Sequence, residues 1–148
     1  MVLVDTNILT ALADASHPRH GEAAEALVRL RRADELLVIV PQVQYEFWVV
    51  CTRPAEANGL GMTPGEARET VDGFCATFLL VEDAPDLAAV WRDLVTRHAV
   101  SGKPAHDARL AAAMVSHGLG RLLTFNVRDF RRYGSLAVVA PADALAAE

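Results

Sequence analysis

The stretch that decides the fold is the first one, Val2-Leu3-Val4-Asp5-Thr6-Asn7. Three apolar residues in a row, two of them β-branched, suit a central strand buried on both faces of a parallel sheet. In such sheets the carboxyl ends of the strands open into a crevice where the strand order reverses. Asp5 ends this run, so a carboxylate is expected at that edge, held on rigid backbone.

Outward from there, apolar runs alternate with amphipathic ones. Further strands are predicted over residues 36–40, 78–81, 121–124 and 136–139. Helices are predicted over residues 7–14, from Pro18 to the basic run Arg29, Arg31, Arg32, and over residues 42–51, 63–76, 85–98 and 105–117. A short one follows at residues 126–130. Thr63-Pro-Gly-Glu66 reads as a capping box with proline at the first helical position. Strands alternating with helices predict an α/β fold with right-handed crossovers.

At 148 residues the chain is expected to form one domain, residues 1–148, with a proper core. The 52% apolar and 22% charged composition excludes a disordered chain. No apolar run is long enough for a membrane span, and Asp5 interrupts any leader-like start. Cys51 and Cys75 match no paired metal spacing, so reduced thiols and a cytoplasmic location are expected. The net charge of −5 offers nucleic acid no overall attraction, so any polyanion must be bound locally.

Helical spacing puts two acids on apolar stripes: Glu46 with Val43, Phe47 and Val50, and Asp107 with Leu110, Ala111 and Met114. Asn126 and Asp129 follow the fourth strand. Each has an ordinary explanation: Asp5 as a helix cap, Glu46 at a wet rim, Asp107 as a first-turn acid, Asn126 as an N-cap. Together they are harder to dismiss. Three ionised carboxylates ~4 Å apart at an effective dielectric near 20 repel by about 4 kcal/mol per pair, comparable in total to a domain's stability. Protonation or a cation must relieve that. Oxygen ligands from Asp, Glu and Asn suit Mg²⁺ or Mn²⁺, and such ions serve phosphate chemistry. Arg128, Arg131 and Arg132 stand ready for flanking phosphates or form a solvated basic end. Thr6 and Asn7 are candidates to orient ligands, and His106 is expected to face solvent.

The ordered set VLVDTN, PQVQYEFW, AHDARLAA and LLTFNVRDF resembles the PIN-domain ribonucleases, and within them the VapC toxins of bacterial toxin–antitoxin pairs. The resemblance covers nearly the whole chain. It implies a three-layer α/β/α fold with a five-stranded parallel sheet in the order 3-2-1-4-5. It also implies a Mg²⁺-dependent endoribonuclease in which Asp5, Glu46 and Asp107 hold metal. Asn126 or Asp129 would complete the site, because many members carry an acid where this chain has Asn126. RNA such as tRNA as substrate, a small antitoxin as partner and a homodimer are implied too. Two rivals stand beside this reading. One is a haloacid-dehalogenase-like phosphatase with Asp5 as nucleophile, disfavoured by Asn7 where a second aspartate is required; the other is a non-catalytic PIN-like binding module.

Overall fold

The computed structural model describes residues 1–146, with side chains described through residue 144. Five parallel strands form one sheet: β1 (Val2–Val4), β2 (Leu37–Ile39), β3 (Leu79–Leu80), β4 (Arg121–Leu123) and β5 (Ala137–Val139). Their order is β3-β2-β1-β4-β5. β1 pairs with β2 through Leu3 and Val38 and with β4 through Val4 and Leu123. The central β1 and β2 are buried along their whole length, whereas β3 and β5 are partly exposed at the edges. Central strands covered on both faces must be continuously apolar, which is why Val2-Leu3-Val4 was so legible.

The helices are α1 (Thr6–Ala13), α2 (His20–Arg32), α3 (Pro41–Thr52), α4 (Pro64–Thr77), α5 (Leu87–Arg97), α6 (Ala105–His117), α7 (Val127–Phe130) and α8 (Pro141–Ala146). Right-handed crossovers place α1 to α4 on one face of the sheet and α5 and α6 on the other. Helix contacts agree: α1 packs with α2 and α3, α3 with α4, and α5 with α6. Phe47 of α3 is fully buried and meets Phe74 of α4 edge to face, with ring centroids 5.2 Å apart.

Three local expectations are corrected. α2 starts at His20 rather than Pro18, because Asp14 folds back on the backbone N–H and hydroxyl of Ser16 and holds the approach as a turn. β3 begins at Leu79, since Phe78 still donates its N–H to Phe74 and closes α4. α8 follows β5 and packs on α2, although no helix was expected there. The capping box is present, with Thr63 and Glu66 bonded reciprocally. No helix among the described residues is long and apolar enough to cross a membrane.

Candidate functional site

The topology concentrates the acids at one edge. β1 runs into Asp5 and β4 into Thr124, and these two strands are neighbours at the point where strand order reverses. α3 starts immediately after β2, so its first turns, with Gln42 and Glu46, rise from the same edge. α6 leads back into β4 and must therefore begin at that edge, with Asp107 in its first turn.

Asp5 is 8% exposed and fully engaged. Its Oδ1 accepts from the backbone N–H of Thr6 at 2.7 Å, so it does cap α1. Its Oδ2 accepts from Nδ2 of Asn7 at 2.8 Å and from the Thr124 hydroxyl at 2.5 Å. Burial nonetheless pushes the Asp5 carboxyl up to about 6; the Thr124 and Thr6 bonds oppose this, while Glu46 and Asp107 add to it. Asp107 is also raised, by burial first and then by Asp129 and Glu46, with His106 and Arg132 pulling it down. Asp5 thus feels Glu46 and Asp107, and Asp107 feels Glu46 and Asp129. Among the described residues, however, no three acids, cysteines or histidines stand close enough to enclose an ion as they are arranged.

Glu46 is half-buried, its Oε2 accepting from the Thr6 hydroxyl at 2.9 Å and its Oε1 from Nε2 of Gln42 at 2.8 Å. Gln42 is 5% exposed and its amide is saturated. Its Nε2 also donates to the His106 carbonyl, and its Oε1 accepts from Nη1 of Arg109 at 3.2 Å. Nη2 of Arg109 meets Asp83 at 2.5 Å. Gln42 and Arg109 escaped the sequence reading. The signal for Gln42 was its position four residues before Glu46, on the same helical face.

Thr124 was missed as well, though it ends β4 as Asp5 ends β1. Its hydroxyl accepts from Nδ2 of Asn7 and from the N–H of Asn126, both at 3.0 Å. Asn7 thus bridges both strand ends, and its Oδ1 accepts from the Phe125 N–H at 3.2 Å. Asn126 is exposed and precedes α7, but its side chain makes no cap bond. With φ −98° and ψ 47° it lies outside the extended conformation a cap requires, so the cap explanation fails. Asp129 is exposed, as are Arg128, Arg131 and Arg132. A cavity of about 370 Å³ beside the acids is lined by Phe125, Asn126, Val127, Arg128, Asp129 and Arg131. His106 is exposed, as expected. A second cavity, about 430 Å³, lies between α5 and the segment after α7 and contains none of the four interacting acids.

This arrangement of strand order and edge acids coincides with a match of residues 2–136 to the PIN-domain family. The chain belongs to the PIN-domain family. Its fold is similar to that of VapBC2 from Rickettsia felis, solved bound to a promoter DNA fragment. The TM-score is 0.70 at 17% identity, covering 95% of this chain and 98% of that one. It is also similar to Mycobacterium tuberculosis VapC20, described as a sarcin–ricin loop cleaving toxin, with a TM-score of 0.62 at 21% identity over 88% and 94% of the two chains. A toxin–antitoxin complex from Klebsiella pneumoniae matches with a TM-score of 0.66 at 23% identity, over 95% and 98%. No curated protein matches the sequence. PIN-domain membership thus agrees with the resemblance read from the sequence, and the sheet has the order that resemblance implied.

Proposed function

We propose that this PIN-domain protein is a Mg²⁺-dependent endoribonuclease and the toxin of a VapBC-type pair. The observation that carries the reading is the convergence of Asp5, Glu46 and Asp107 from β1, α3 and α6 on the carboxyl edge, with Asp5 raised to about 6. A buried strand-end carboxyl that must ionise beside two others is a site that gains from a cation.

The donor set fits a hard divalent ion. Every candidate ligand offers oxygen, and Mg²⁺ keeps several waters and takes only one or two carboxylates, so it needs no closed protein cage. Asp5 and Asp107 would hold it, Glu46 would hold it or orient the attacking water, and Asn126 or Asp129 would complete the shell. When bound, the cation would polarise the phosphoryl oxygen and stabilise charge on the leaving oxygen. Glu46 is suited to take a proton from water, because Thr6 and Gln42 fix both its oxygens in direction. In-line attack would leave 5′-phosphate and 3′-hydroxyl ends. Arg128, Arg131 and Arg132 would hold flanking phosphates, and Arg132 already acts on Asp107 through its charge.

The similar folds solved as toxin–antitoxin complexes support an antitoxin as partner. Structured RNA such as tRNA as substrate class, a homodimer as assembly and the cytoplasm as location come with the family resemblance and belong to this proposal. The test is to incubate the purified protein with RNA and Mg²⁺, with and without EDTA, beside Asp5→Asn and Asp107→Asn. Cleavage that survives chelation and both substitutions would overturn the metal assignment. Tight partner binding without RNA cleavage would instead favour the non-catalytic module.

A further inference from the structure

Beside the acids sits a stacked pair that the reading above does not use. The Arg19 guanidinium carbon lies 3.6 Å from the centroid of the Phe125 ring. That is face contact, at a separation where a planar cation is drawn to the ring's negative face. Glu22 locks the guanidinium: Nε donates to its Oε2 at 3.0 Å and Nη2 to its Oε1 at 3.1 Å. Nη1 makes no hydrogen bond among the described residues. The Arg19 side chain is 42% exposed, so this orientation does not serve to hide it.

Phe125 is equally fixed. It stands between Thr124, whose hydroxyl donates to Asp5, and Asn126, and its N–H is held by Asn7. Asn7 also donates to Asp5. One asparagine therefore ties the stacked pair to the acid edge, setting its position relative to any phosphate reacting there. Arg128 and Arg131 line the 370 Å³ cavity that Phe125 shares.

We propose that Arg19 and Phe125 form a stacking platform for an unpaired nucleobase flanking the scissile phosphate. The base lies on the guanidinium plane, Nη1 donates to an acceptor on the base or its phosphate, and Arg128 and Arg131 take the next phosphate along. Bases inside a duplex have both faces covered, so the platform selects single-stranded or looped RNA. Glu22 neutralises the charge of Arg19, which makes it a shaped surface rather than a general polyanion trap and suits an acidic protein. This rests on the nuclease reading for its substrate class, but its test does not require cleavage.

The test measures binding in EDTA of a short single-stranded RNA carrying 2-aminopurine, against the same sequence in a duplex. Binding of the single strand should quench the fluorophore and exceed duplex binding. Phe125→Leu and Arg19→Lys should each weaken it roughly tenfold, the scale of one lost base stack. Phe125→Tyr should restore binding, which separates stacking from folding. Variants that bind the single strand as tightly as the parent, or a parent that binds duplex equally well, overturn the proposal. Platform-dependent binding without Mg²⁺-dependent cleavage would uphold it and sink the nuclease reading; cleavage with platform-independent binding does the reverse.

Discussion

The Thr124 hydroxyl donates to Oδ2 of Asp5 across 2.5 Å, joining the ends of the two strands at which the sheet's order reverses. The bond favours the charged form of a carboxyl that burial would otherwise keep protonated. Thr124→Val keeps the shape and removes the donor. It also strips the acceptor used by Asn7 and by the N–H of Asn126. Asp5 and Asn7 keep their bond to each other, so the loss of these three bonds should cost about 1–3 kcal/mol in urea unfolding. It should also raise the Asp5 titration above about 6 and weaken Mg²⁺ binding by calorimetry. An unchanged Mg²⁺ affinity would show that Thr124 serves only the fold.

Without a cation, stability should fall as pH rises toward neutrality. Unfolded Asp5 titrates near 3.8 and folded Asp5 near 6, so the folded state holds the extra proton between these values. The stabilisation from protonated Asp5 is complete below pH 3.8 and lost as pH rises through about 6. Two pH units correspond to on the order of 3 kcal/mol. Asp107, raised as well, adds a term of the same sign. Urea midpoints in EDTA across this range should show the decline, and Asp5→Asn should flatten it. Added Mg²⁺ should raise Tm more above pH 6 than below it.

Sequence alone made the core strands plain, because burial on both faces leaves no room for polar alternation. Strand order was different: it came with the family resemblance, since apolar runs do not say which neighbour each strand takes. Asp5, Glu46 and Asp107 were legible because each breaks an apolar pattern. Gln42, Thr124 and Arg109 break none; their roles appear only when elements far apart in the chain meet. The cap weighed for Asn126 beside its functional reading failed on backbone angles, which a residue pattern does not carry.

Gly59 offers a control remote from the acids. A Cβ there would collide with the Arg53 carbonyl, which accepts the N–H of Gly61 in the turn closing α3. Gly59→Ala should therefore destabilise the protein by about 2 kcal/mol, within the usual range for a strained substitution. Folded Gly59→Ala should keep parental cleavage per molecule and parental Mg²⁺ affinity. A loss of activity at full folding would mean that the C-terminal end of α3 reaches the substrate.

The Arg109–Gln42–Glu46 chain makes the most discriminating prediction. Gln42 saturates its amide on three partners, and one of them is the carboxylate suited to handle water. Arg109→Met leaves Oε1 of Gln42 unpaired and releases Asp83, at a cost of about 1 kcal/mol, since the ion pair is about one-third exposed. Its larger effect should fall on chemistry. With Oε1 unpaired, the amide is held by its Nε2 bonds alone, so Glu46 is fixed less firmly and kcat should drop roughly tenfold, the share of a misaligned general base. KM should hold, because neither Arg109 nor Gln42 is assigned to phosphate. Gln42→Met, which removes the bond to Glu46 outright, should lose at least as much kcat, and the double variant no more than Gln42→Met alone, because both act through one carboxylate. Additive losses, or a change confined to KM, would assign Arg109 to RNA binding and remove the relay from the mechanism.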